Sequence, residues 1–373
     1  MIAGQWQETE DSFSVENKYS GERLARVALA DGDLIERALS AAHGAKRIMA
    51  SLPAHRRSSV LNECSKLLAK RKDSLAQGIA KEAGKPLKLA LSEVSRAETT
   101  FSFAAEEAKR ISGETVPMDS VAAGEDFFAF YTRRPIGTVL AITPFNFPLN
   151  LVAHKVAPAI AAGNPFILKP ASDTPLTAIA LMEILLEAGV PKEALNLLCG
   201  SGREVGAALC KDERVSKISF TGSVPVAKRI VAAAGIKPVT FELGNTSPVV
   251  IDSLDSVEAV AKRCAFASFA YQGQVCISLQ RIYVRRELYD SFLSSLVSEA
   301  KALRLGDPLD EETDLGPMIN EGEALRIDSW VRQAWEAGAK VEAGGVRRGA
   351  LFEATVLTGV SKDQPIFSCE AFG

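Results

Sequence analysis

A chain of 373 residues, 47% hydrophobic and 24% charged, can bury a sizeable core without disulfide staples, and its length predicts two or three domains. A formal net charge of −3 gives no electrostatic footprint for nucleic acid or an anionic membrane. The six cysteines form no CxxC pair and the three histidines are scattered, so there is no metal-ligand spacing; with no apolar run of membrane-spanning length and a polar, acidic start (MIAGQWQETEDSF), a reduced cytoplasmic chain is expected.

Residues 1–30 read as short strands and turns, with Tyr19-Ser20-Gly21-Glu22 as one turn. From Asp31 to about Gly113 the pattern is helical. Ala38, Ala41, Ala42 and Ala45 share one face, and Leu61, Leu67, Leu68 and Leu75 recur near helical spacing. Asp31 or Asp33 is positioned to cap the first helix. The run FFAFYTRRPI (127–136) is aromatic and then basic, which fits an exposed hairpin or a strand that pairs with another element. After Gly137 the texture changes. The apolar runs GTVLAIT (137–143), PFILKP (165–170), LNLLCG (195–200), KISFTG (217–222) and VTFELG (239–244) are separated by helical stretches. Near-continuous apolar strands alternating with helices predict a parallel sheet covered on both faces. A second α/β passage follows, with SPVVID, a helix from about Val257 to Tyr271, and QRIYVRRE.

Polar residues gather where the apolar strands stop. Asn146 follows the first strand, Lys169 closes the second, Thr221-Gly222-Ser223 closes the fourth and opens a helix, and Glu242 closes the fifth. In open α/β sheets, ligands bind beyond these carboxyl ends. Cys276 lies in Tyr-Gln-Gly-Gln-Val-Cys-Ile-Ser, where glycine and polar residues fit a thiol held in a loop; the other five cysteines read as inert and buried. Taken singly, Asn146 reads as a turn residue and Glu242 as a solvated or salt-bridged carboxylate.

The motifs TPFNFP (143–148), FILKPA (166–171), ISFTGS (218–223), FELGNTSP (241–248), GQVCIS (273–278) and EAFG (370–373) occur in order. In these motifs, and in the Asn146–Lys169 and Glu242–Cys276 separations, the chain resembles the NAD(P)-dependent aldehyde dehydrogenase superfamily from Trp6 to Gly373. The resemblance implies an α/β fold: a Rossmann-like parallel-sheet cofactor domain, a second α/β catalytic domain and a small oligomerisation hairpin. The implied divisions are 1–125 (N-terminal part of the cofactor-binding domain), 126–136 (hairpin), 137–243 (Rossmann-like) and 244–373 (catalytic, C-terminally incomplete).

The resemblance also implies roles. Cys276, as thiolate, adds to the aldehyde carbon. The Asn146 amide and the backbone N–H of Cys276 hold the oxyanion. Hydride leaves for the nicotinamide, and Glu242 activates the water that hydrolyses the thioester. Lys169 binds the adenosine ribose, Gly222 and Ser223 meet the pyrophosphate at a helix N-terminus, and Gly202 lies on the adenine side. Ile142, Thr143, Pro144 and Phe145 line the nicotinamide pocket, and Glu370 and Phe372 contact its ribose and ring. No GxGxxG follows a strand, and GSGREVG (200–206) is not that fingerprint. The cofactor is NADP or NAD. Ser172 stands where many NAD-preferring relatives carry a glutamate that repels a 2′-phosphate, so NADP is expected to be tolerated or preferred.

The segments YQGQVCIS and FNFPLNLVAHK resemble the branch that oxidises lactaldehyde, succinate semialdehyde and phosphonoacetaldehyde, which implies a small polar or anionic aldehyde. Arg96 either meets the distal anion of such a substrate or is a helix arginine paired with Glu93 or Thr100. Val275 replaces the phosphate-binding arginine of non-phosphorylating glyceraldehyde-3-phosphate enzymes, which argues against that substrate. His154 reads as structural, and Asn245 stands in place of the more usual second glycine of ELGG. Relatives continue beyond EAFG with a part that completes the catalytic domain and supplies a strand of the oligomerisation sheet, and the resemblance implies a homodimer or homotetramer for the full-length form. A CoA-acylating enzyme and an inactive cofactor-binding fragment are the alternative readings.

Overall fold

The computed structural model describes residues 1–253 and 255–373. Strands β1 (Ser12–Glu16) and β2 (Arg23–Ala28) pair antiparallel across a turn in which the Asn17 side chain accepts the N–H groups of Tyr19 and Ser20. Five helices follow: α1 (Gly32–Gly44), α2 (Lys46–Ser51), α3 (Ala54–Lys70), α4 (Lys72–Ala83) and α5 (Leu87–Glu107). Asp31 caps α1 by accepting the Leu34 N–H at 2.8 Å. The expected apolar faces are the buried ones, with Ala38 and Ala42 on α1 and Leu61 and Leu68 on α3.

The aromatic segment forms a short antiparallel ribbon, β3 (Glu114–Val116) with β4 (Ala129–Tyr131). Its first strand lies upstream of residue 126, so the boundary drawn there cuts the ribbon. Three residues beginning with Glu114 are too few to display an alternating pattern.

The apolar runs after Gly137 become β5 (Thr138–Ile142), β6 (Phe166–Lys169), β7 (Leu195–Leu197), β8 (Val215–Gly222) and β9 (Val239–Leu243). They alternate with α6 (Asn150–Ala161), α7 (Leu176–Glu187), α8 (Ala207–Lys211) and α9 (Val224–Ala234). They form one parallel sheet in the order β7-β6-β5-β8-β9. Side chains that alternate along each strand enter different cores. Val139, Ala141, Phe166 and Leu168 pack on one face; Leu140, Ile167, Ile218 and Phe220 pack on the other. The order reverses beside β5, which is where a doubly wound sheet opens a crevice. The register aligns Ile142 with Lys169 and with Phe220, and Thr221 with Glu242, so the expected site residues share one edge.

The remaining chain forms β10 (Pro248–Ile251), α10 (Val257–Phe269), β11 (Arg281–Val284), α11 (Tyr289–Ala302), α12 (Glu321–Glu336), β12 (Lys340–Ala343), β13 (Arg347–Arg348), β14 (Leu351–Phe352), β15 (Val356–Thr358) and α13 (Pro365–Ser368). The second α/β passage is a two-stranded parallel pair, β10 with β11, packed with α10 and α11 around Ile251, Ala261 and Phe292. Among the described residues no helix is long and apolar enough to cross a membrane.

Candidate active site

Asn146 is buried just beyond β5, and its amide donates to the carbonyl of Gln274 at 2.8 Å. Its Oδ1 has no partner. The facing loop owes its shape to three successive left-handed residues: Tyr271 (φ 51°), Gln272 (φ 54°) and Gly273 (φ 70°). A bulky residue at positive φ is strained, so tertiary contacts must hold this turn. It stops the helix short of Tyr271 and brings Cys276 half-buried to the same place. The side chain of the fully buried Gln274 accepts the Ile319 N–H at 3.0 Å. Asn245 donates to the Cys276 carbonyl at 2.8 Å.

Partial burial raises the Cys276 pKa above the ordinary thiol value, and the negative charges of Glu370 and Glu242 add to that effect. Both carboxylates therefore lie within electrostatic reach of the sulfur. Glu370 tucks against the backbone at Gly244, where a Cβ would sit 2.0 Å from its Oε2. Its Oε1 is buried without a partner. Phe372 meets Phe145 edge to face at 5.9 Å. Residues far apart in the sequence thus meet beside the thiol loop.

The residues expected to meet a cofactor lie along the same sheet edge. Lys169 is buried, donates to the Pro170 carbonyl at 3.1 Å and has its pKa lowered by desolvation. Ser172 donates to the carbonyl of Gly200, 3.1 Å away, beside the single π-helical turn Gly202–Gly206. At Gly222 a Cβ would fall 2.6 Å from the Phe220 ring. The next residue, Ser223, is the exposed N-cap of α9 and makes no side-chain cap bond there. First-turn N–H groups at such a terminus suit a phosphate, and the absent side chain at Gly222 lets the Phe220 ring pack against the strand end. These features fit a dinucleotide.

Arg96 projects from α5 with its guanidinium 5.6 Å from the centroid of Phe147, the residue after Asn146. Neither alternative partner holds it. Glu93 is ion-paired with Lys85, and the Thr100 hydroxyl bonds to Arg96's own carbonyl oxygen.

The aldehyde dehydrogenase family model matches residues 6–373. A 3-sulfolactaldehyde dehydrogenase of Priestia megaterium is 42% identical over 372 residues, covering 100% of this chain and 78% of that protein. The chain belongs to the aldehyde dehydrogenase family. Among solved structures, aldehyde dehydrogenase 21 from Physcomitrella patens, in complex with the reaction product succinate, superposes with a TM-score of 0.94 at 40% identity. That match covers 100% of this chain and 78% of the other. The glyceraldehyde-3-phosphate dehydrogenase GapN of Methanocaldococcus jannaschii, complexed with NADP, gives 0.93 at 38% identity, over 98% of this chain and 80% of that one. The protein is an NAD(P)-dependent aldehyde dehydrogenase with the α/β fold of that family.

Several residues of this dehydrogenase's site escape a reading of the sequence. Lys155 of α6 is buried, donates to Ser219 at 3.2 Å, and has its pKa lowered to about 8 by desolvation, partly offset by the charge of Glu242. His154, exposed beside it, is held below the usual imidazole range by desolvation and by the charges of Arg96 and Lys155. Glu93 carries a readable signal, because it shares helical spacing with the buried Ala90, Val94 and Ala97. A carboxylate on a buried face needs a partner.

Proposed function

We propose that this dehydrogenase oxidises a small anionic aldehyde to the carboxylic acid, with NADP accepted at least as well as NAD. The observation that carries the reading is the Asn146 amide, buried and bonded to the loop that holds Cys276. The Cys276 thiol gives up its proton to solvent; the sulfur then bonds to the aldehyde carbon as the C=O π pair moves onto the oxygen, which gains the negative charge. Asn146 exchanges its Gln274 acceptor for that oxygen, together with the Cys276 backbone N–H. The bound dinucleotide supplies the acceptor for the two electrons and the hydrogen that leave as the thioester forms. Glu242 then takes a proton from water as its oxygen attacks the thioester, releasing acid and the Cys276 thiol.

Lys169, Ser172, Gly202, Gly222 and Ser223 would hold the adenosine and phosphate portion. Ile142, Thr143, Pro144, Phe145, Glu370 and Phe372 would hold the nicotinamide portion. An uncharged Ser172 leaves a 2′-phosphate unopposed. Arg96, held by neither alternative partner and standing over Phe147, supplies the cation for the substrate's distal anion. The ribbon, with Phe127, Phe128 and Phe130 exposed, fits a contact between copies of the chain in a dimer or tetramer. Six free cysteines fit a reducing, cytoplasmic compartment.

The test is a panel of succinate semialdehyde, lactaldehyde and a neutral aldehyde of similar size, followed by NADPH absorbance with and without CoA. Turnover without CoA, strongest for the anionic substrate and reduced at least tenfold in Arg96→Ala, is expected. Preference for the neutral aldehyde, or a requirement for CoA, refutes the reading.

A further inference from the structure

Lys85 is a cation with only 1% of its surface exposed, paired with Glu93 at 0%, and the chemistry above does not use it. The turn that places it is forced. Gly84 ends α4 at φ +68°, and a Cβ there would sit 2.9 Å from the Pro317 carbonyl. The Lys85 ammonium lies 3.8 Å from the ring centroid of Phe147 and 4.6 Å from that of Tyr271. Phe147 directly follows Asn146, and Tyr271 begins the left-handed turn that leads to Cys276. Hydrogen bonds reinforce both contacts, from Glu93 on the Asn146 side and from the backbone just before Lys85 on the Tyr271 side. Glu93 accepts the N–H groups of Leu149 at 2.9 Å and Asn150 at 3.1 Å. The Tyr271 hydroxyl donates to the carbonyl of Ala83, two residues before Lys85, at 2.7 Å.

Buried ion pairs are a weak source of stability, because an apolar pair of the same volume often does as well. What this pair adds is direction: a desolvated cation between two aromatic faces draws both toward one point. We propose that Lys85, seated on Glu93, is a positioning residue that fixes the separation of the Asn146 amide and the Cys276 thiol by holding their two loops on one buried charge. The inference rests on the roles given to Asn146 and Cys276 above. It explains why a strained turn persists at Tyr271 and Gln272, which loop sequence alone does not favour.

The test is a double-mutant cycle between the clamp and the amide. The clamp is neutralised by Lys85→Met with Glu93→Gln, and separately by Tyr271→Leu, which leaves the ion pair in place if the first variant folds poorly. Each is combined with Asn146→Ala, and kcat, KM and the NADP dissociation constant are measured well below each variant's Tm. In the parent, Asn146→Ala is expected to lower kcat by about 10²–10³-fold. The clamp variants are expected to lower kcat at least tenfold, with KM and NADP affinity within about threefold, and adding Asn146→Ala to them should then cost less than tenfold more. If Asn146→Ala costs the same factor in both backgrounds, the clamp does not act through the amide and the inference is overturned. If Asn146→Ala leaves the parent's kcat unchanged, the reading of the site itself has failed.

Discussion

Strands β5 and β6 are buried almost from end to end, with helices on both faces of their sheet. In the β10–β11 pair, by contrast, Val250 is 74% exposed and Tyr283 47%, and a largely apolar cavity of about 430 Å³ opens among β11, α11, α12 and residues 352–360. The proposed site straddles these regions. Asn146 and Lys169 come from the covered sheet and are themselves buried, whereas Cys276, Glu370 and Phe372 come from the open side and are only half-covered. The comparison teaches that the cofactor edge is fixed by burial. The thiol is fixed by a few specific contacts to its loop, from Asn146, Asn245, Ile319 and the rings on Lys85.

The largest expected difference is in stability. Leu140→Ala should cost about 2–5 kcal/mol, because it opens a cavity in a covered core, whereas Val250→Ser should stay within about 0.5 kcal/mol. Urea unfolding of both variants measures this; equal losses would erase the contrast. Ser172→Glu should act on the cofactor edge alone. It should lower kcat/KM for NADP at least tenfold (about 1.4 kcal/mol) while NAD changes little, as parallel kinetics with the two cofactors would show. The smallest effect belongs to the open side. Because the charge of Glu370 raises the Cys276 pKa, Glu370→Gln should move the pH profile of Cys276 alkylation to lower pH wherever Glu370 is ionised. A profile that stays put or moves upward would separate the two groups.

The same contrast governs what was legible in the sequence. Strands covered on both faces appear as unbroken apolar runs, and a break in the run at their carboxyl ends stands out, which is why the positions of Asn146, Lys169, Gly222 and Glu242 along one sheet edge were legible. The turn at Tyr271 and Gln272 could not, because nothing local favours positive φ there and its contacts come from the end of α4 and the loop that follows it. Lys85 lies in the break between α4 and α5, and Glu93 in α5, so their pairing has no periodic signature. Asn245 looked like a tolerated variation in a glycine motif, yet its side chain ties the strand end to the Cys276 carbonyl. The short strand Glu114–Val116 was hidden by its length.

The central claim is that Cys276 forms the covalent bond to the substrate and Glu242 releases it. Mixing Glu242→Gln with NADP and aldehyde, quenching in acid and mapping the peptides by mass spectrometry tests it most directly. The account predicts a single burst of NADPH, about one per chain, and an acyl mass on the Cys276 peptide that is absent in Cys276→Ala. An acyl group on another residue, or NADPH formed by the Cys276→Ala chain, would contradict it.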